Sequence, residues 1–155
     1  NMDYYNLGFS NSAKGELIMA DFINTLNMSM LVYDYDHNAP DAAHLAKTHE
    51  AFFKRIRAFH PKLPILILTM PKETYTVEKE RREIIFRTYK NAVNSGDKNV
   101  YFIDGESYYG AADRHCCSID GIHPNDLGFY RMAQVIEPKI RAILNIKQSD
   151  FTANT

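Results

Sequence analysis

The sequence lacks any apolar run long enough to cross a bilayer. Its longest, Leu63 to Met70, is interrupted by Pro64 and falls far short of the roughly 18 residues a spanning helix needs. No membrane partner is expected. It also lacks an excess of charge of either sign. Lys and Arg number 18 against 19 Asp and Glu, for a net charge of -1, with no basic stripe that would neutralise a row of phosphates. No nucleic-acid partner is expected. Cysteine is scarce, and the two present, Cys116 and Cys117, are adjacent. A bond between neighbours is strained, so each is read as a free thiol or as paired outside the chain, and neither a Cys nucleophile nor a zinc site follows. No signal peptide is visible, yet the chain opens at Asn1 in what already reads as a strand, which leaves the compartment unassigned. Repeats, low-complexity tracts and linkers are missing up to the polar tail at 148–155.

What remains is a chain of 155 residues, 45% of them hydrophobic, the size and composition of one ordinary domain with a real core. The expected division is a domain over 1–147 and a tail over 148–155. Short β-rich runs alternate with longer helical ones. Asp3 to Phe9 reads as a strand, and Ala13 to Asn24 as a helix burying Leu17, Ile18, Phe22 and Ile23. Met28 to Tyr35 reads as a second strand. Pro40 and Asp41 open a helix that buries Leu45, Phe52, Phe53 and Ile56 and ends near His60. The apolar run Pro64 to Thr69 has the pattern of a strand covered on both faces. Val77 to Asn94 follows as a helix closed by the Ser95-Gly96-Asp97 turn. Asn99 to Asp104 is the next strand. A polar loop leads to a last helical region starting near Pro124, which Pro138 is expected to break or kink. Such alternation predicts a three-layer α/β fold with a parallel sheet, where ligands bind beyond the C-terminal strand ends.

The strongest local signal is Asp120-Gly121-Ile122-His123-Pro124-Asn125-Asp126-Leu127-Gly128. A carboxylate three residues before a histidine can turn back onto Nδ1, fix the tautomer and leave Nε2 as a general base. The plainer reading is an Asp and a His at a helix start. After the first expected strand comes Asn6-Leu7-Gly8-Phe9-Ser10-Asn11-Ser12, whose backbone N–H groups suit an anion or oxyanion, or simply make a turn. Asp34-Tyr35-Asp36-His37-Asn38-Ala39-Pro40 follows the second. There an Asn amide can donate a further bond to an oxyanion, or the stretch is an ordinary polar loop.

Taken together, these three stretches resemble the blocks of the SGNH hydrolase superfamily, the GDSL-type esterases and lipases, over about Tyr4 to Leu144. The resemblance implies a flavodoxin-like fold and hydrolysis of an acyl ester through an acyl-serine, with no metal or organic cofactor. By position it implies His123 as base, Asp120 as its orienting partner, and Asn38 and Asn11 as oxyanion donors. Asn11 stands where the family has glycine, and asparagine tolerates positive φ better than most residues. The family's first block, a strand followed by the nucleophilic serine, is expected upstream of Asn1, so the first strand of the sheet and the nucleophile are expected to be missing. Ser10 and Ser12 offer a weaker elbow, because Gly8-Phe9-Ser10 lacks the second glycine of Gly-x-Ser-x-Gly.

Two other readings compete with a serine esterase acting on an acyl ester, for which an acetyl ester of a carbohydrate is one candidate substrate. One is a metal-dependent phosphoesterase using Asp34, Asp36, His37, Asp120 and His123. The other is a non-catalytic binding module of the same fold. Tyr75, Tyr108 and Tyr109 are candidates to line a sugar-accepting cleft. The expected partners are a small-molecule ester and, along the sheet, a missing N-terminal segment or another chain. The latter expectation takes the form of a strand-wide gap beside Asp3 to Phe9.

Overall fold

The structure is a computed structural model that describes residues 3–72 and 79–146. The chain forms two compact units, one of Asn1–Ile67 with Glu78–Phe102 and one of Leu68–Val77 with Ile103–Thr155.

A three-stranded sheet of order β1-β2-β3 runs through the chain, with β1 at Leu31–Tyr33, β2 at Ile65–Leu68 and β3 at Val100–Ile103. β1 and β2 are parallel, with Leu31 opposite Ile65 and Tyr33 opposite Ile67. β2 is the central strand, and all four of its residues are buried, as its unbroken apolar run requires. In the first unit the alternate residues Ile65 and Ile67 join Tyr33, Tyr35 and Val100 in one core with α2 and α3. α2 (Ala42–Phe59) brings Leu45, Phe52, Phe53 and Ile56. α3 (Lys79–Asn94) brings Ile84 and Ile85. Each such side chain contributes about 1.5–3 kcal/mol by leaving water. α2 starts where its cap is, since Asp41 accepts a 2.7 Å bond from the His44 N–H, and it is capped by His60 at its end. α3 closes on Gly96 at φ +87°. The predicted start of that helix at Val77 lies outside the described residues, as do Tyr75 and the tail.

Two predicted elements differ. Asp3 to Phe9 forms no strand. Asn6 Oδ1 instead accepts from the Gly8 N–H at 2.9 Å, a local turn that competes with an extended ladder, and Phe9 O accepts from the N–H groups of Ser12 and Ala13. α1 begins at Leu17, not Ala13, and runs to Asn24. The delay is due to Gly15, at φ +77°, where a Cβ would also meet the Tyr35 ring at 2.7 Å. α1 packs on α2 through Ala20, Ile23 and Asn24, while Leu17, Ile18 and Phe22 are exposed. Of the four residues predicted to be buried, only Ile23 is. On this side β1 offers a second edge that pairs with no strand among the described residues. A cavity of about 560 Å³ lies along it, lined by Tyr5, Leu7, Phe9, Ile18, Val32 and Asp34 among others.

The second unit is built on loops tied by arginines. Gly105 packs where any Cβ would lie 1.9 Å from Met70 O, and its N–H donates to Thr69 Oγ1 at 2.7 Å. Arg114 donates to the carbonyls of Gly110, Lys72 and Glu106. Arg131 donates to those of Tyr109 and Ala112. Tyr108 and Tyr109 are each 1% exposed, so they belong to the interior of this unit and not to an open cleft. Cys116 and Cys117 are free thiols. α4 spans Asp126–Leu144 without a break at Pro138. The proline removes one backbone donor, and the other turns of the helix hold. No helix among the described residues is long and apolar enough to cross a membrane.

Candidate active site

His123 sits at the end of a loop that several short-range contacts fix. Ser118 and Pro124 form an antiparallel bridge, and the Ile119 N–H donates to His123 O at 3.0 Å. Gly121, at φ +85°, turns the chain between them and donates to Ser118 Oγ at 2.9 Å. Beyond the histidine, Asn125 caps α4 by accepting from the Gly128 N–H at 3.0 Å. Its amide donates to Cys116 O at 2.8 Å. Gly128 completes the anchorage, because a Cβ there would lie 2.1 Å from Cys117 O.

Within this frame Asp120 folds back on His123. Its Oδ1 accepts from the N–H groups of His123 (2.8 Å) and Ile122 (3.0 Å), and its Oδ2 from His123 Nδ1 (2.7 Å). The His123 N–H, then its ring, then the Ile122 N–H hold the Asp120 carboxyl well below the usual carboxylate range. A carboxylate at Nδ1 selects the Nδ1–H tautomer of the neutral ring and leaves the Nε2 lone pair free. The His123 side chain is 74% exposed, so a proton can reach and leave Nε2. The Asp-x-x-His spacing therefore yields both a turn at a helix start and an oriented imidazole.

In the first unit, Asn11 has φ +55°, the left-handed backbone expected for a residue standing in for glycine. It lies in the Phe9–Ala13 turn. Asn38 closes the 3-10 turn Asp36–Asn38, and its Nδ2 donates to Phe9 O at 3.1 Å. The two asparagines thus belong to turns joined by a hydrogen bond. Ser10 and Ser12 are in the first of these turns. Because residues 3–9 form no strand leading into them and α1 starts only at Leu17, neither sits on a strand-to-helix elbow.

The acids after β1 do different things. Asp36 is buried against Arg81, with Nε 3.0 Å from Oδ1. Asp34 faces the cavity beside β1. Although the residue is exposed on that side, partial desolvation, helped by the Asp36 charge, lifts its carboxyl to about 6. Among the described residues no group of three or more His, Cys, Asp or Glu converges as a metal site. Asp36 is engaged with a cation of the protein, Arg81. Sequence reasoning missed the arginines. Arg81, Arg114 and Arg131 sit in polar stretches or on helix faces with no spacing to mark them, and their role comes only from acceptors brought close by the fold.

The sheet and the helices packed on it define the class as an α/β protein, and the oriented imidazole of His123 is its candidate base. The GDSL-like Lipase/Acylhydrolase family profile matches residues 1–141, and the chain belongs to that family. Among solved structures it is similar to a protein described as a GDSL-like lipase from Bacteroides ovatus ATCC 8483. The identity is 30% and the TM-score 0.79, over 92% of this chain and 44% of that one. It shares its fold with the salicylyl-acyltransferase SsfX3 from a tetracycline biosynthetic pathway (17% identity, TM-score 0.69, 86% of this chain and 43% of that one). The same holds for a family two carbohydrate esterase from Clostridium thermocellum, solved with cellohexaose (18% identity, TM-score 0.60, 76% and 36%). No curated protein matches the chain. The chain spans less than half the length of each of these structures.

Proposed function

We propose that this chain is the His-Asp portion of a serine esterase, cleaving an acyl ester through an acyl-serine intermediate. The observation that carries the reading is the Asp120–His123 pair, with its 2.7 Å contact to Nδ1, in a chain of this family. His123 Nε2 takes the proton of the serine hydroxyl as that oxygen attacks the ester carbonyl, then returns it to the departing alcohol. Water repeats the sequence on the acyl-enzyme. Asp120 holds the tautomer and stabilises the imidazolium. The Asn11 N–H and the Asn38 amide donate to the oxyanion, the latter through the Nδ2 hydrogen not given to Phe9 O. The serine is provided by polypeptide preceding Asn1, which also supplies a strand along the open edge of β1. Acetylated carbohydrate is the first substrate to try, beside a simple aryl acetate.

The test compares this chain with a version extended by its native upstream sequence. The extended protein is expected to hydrolyse an aryl acetate, to be blocked by a serine-directed inhibitor and to be indifferent to a chelator. The chain alone should run about a thousandfold slower or worse. Chelator sensitivity would favour metal chemistry, and inactivity of the extended protein would favour a binding module. Robust, inhibitor-blocked turnover by the chain alone would move the nucleophile to Ser10 or Ser12.

A further inference from the structure

Asp36–Asn38 is a three-residue 3-10 turn, a short element with little internal bonding to fix the direction of the Asn38 amide. What fixes it comes from α3. Arg81 is 7% exposed and Asp36 2%. The guanidinium meets this turn at three points. Nε is 3.0 Å from Asp36 Oδ1, and Nη2 donates to Asp36 O and, at 3.1 Å, to Ala39 O. These acceptors lie on either side of Asn38. A planar, always-charged fork can satisfy a carboxylate and two carbonyls at once, which a lysine cannot. The gripped turn presents Asn38, whose Nδ2 donates to Phe9 O, the oxygen that also closes the turn carrying Asn11. One guanidinium thus stands at the head of a hydrogen-bonded path that runs through Asn38 to the turn containing Asn11.

We propose that Arg81 is a positioning residue for the oxyanion donors. By holding the Asp36–Ala39 backbone it aims the Asn38 amide, and through Phe9 O it sets the Asn11 turn relative to that amide. This rests on the esterase reading for its catalytic consequence, but not for its structural one. Donors aimed at an oxyanion matter in the transition state more than in substrate binding, so their misalignment lowers kcat and spares KM.

The experiment uses Arg81→Gln, the milder Arg81→Lys, and Arg57→Gln as a control. Arg57 makes a comparably enclosed ion pair with Asp97, at 2.8 Å and with both side chains 15% exposed or less, and has no contact with the 36–39 turn. In the extended protein, Arg81→Gln is expected to lower kcat on an aryl acetate about tenfold to a hundredfold, with KM within about twofold. Arg57→Gln should leave kcat unchanged at a similar loss of Tm. In parallel, the NMR order parameter of the Asn38 side-chain amide is measured on this chain. It should fall into the flexible range, below about 0.6, in the Arg81 variants and hold in Arg57→Gln. Unchanged kcat in folded Arg81→Gln, or an equal loss in Arg57→Gln, overturns the proposal. If Arg81→Gln does not fold, Arg81→Lys decides on the same criteria. If the extended wild-type protein hydrolyses no ester, the esterase reading fails. The order parameter then decides Arg81 alone, equal mobility in the Arg81 and Arg57 variants counting against it.

Discussion

His49 and His123 show the same side chain in opposite surroundings in two regions of the molecule. His49 is 2% exposed, its ring 4.5 Å from that of Tyr33, and its Nδ1 is 2.9 Å from Thr88 Oγ1. Burial pushes its pKa down to about 3, so at neutral pH it is an uncharged core residue. His123 is exposed, and a carboxylate sits on its Nδ1. A buried imidazole with a hydroxyl partner has no room to exchange protons with a substrate. An exposed one with an acid behind it can both take and give a proton. Residue type does not separate them. Surroundings do.

The comparison breaks most sharply at Asp120. In the extended protein, Asp120→Asn keeps the shape but loses the acceptor that selects Nδ1–H, and kcat should fall by about a hundredfold to ten-thousandfold, read with an aryl acetate. A comparable loss from His49→Gln would erase the distinction. Next comes the frame of the His123 loop. Gly128→Val must push Cys117 O away from the start of α4, and an expected cost of about 2–4 kcal/mol would show in denaturant midpoint. An unchanged midpoint would mean the loop is not fixed there.

For His49 the sign follows from proton uptake. The unfolded chain binds a proton near pH 6.5, while the folded one refuses it until about pH 3. His49 therefore costs stability as the pH falls through that window, by about 2 kcal/mol between pH 7 and pH 5. Asp34 acts in the opposite sense. Its carboxyl is lifted above the model-peptide value of 3.8, so it adds stability as the pH falls towards that value, though less than a fully buried group would, because the residue is exposed. The difference between wild type and His49→Gln isolates the histidine, and a difference that does not change with pH would refute the account. The smallest effect belongs to the surface. Glu137→Gln removes the Arg141 pair on α4, and a loss of no more than about 0.5 kcal/mol is expected in the same titration.

How much of this was legible beforehand varied with the kind of information. β2 could be read because Ile65 to Leu68 are apolar at every position, and α2 because Asp41 caps it and Leu45, Phe52, Phe53 and Ile56 repeat at helical spacing. The family could be read from the Asp120 to Gly128 block. The first expected strand does not form, since Tyr4, Tyr5 and Phe9 have the composition of a strand but no ladder to join among the described residues. The buried face of α1 was misread for a related reason. Hydrophobicity marks which residues seek cover, and Leu17, Ile18 and Phe22 find none among the described residues. Arg81 was invisible because its acceptors, Asp36 and Ala39, are more than forty positions away.

The central claim is that His123 is the base of a serine ester hydrolase, and His123→Ala in the extended protein tests it most directly. Hydrolysis of an aryl acetate should fall about a thousandfold or more in kcat, with Tm little changed because the side chain is exposed. A fall of less than about tenfold would contradict the account.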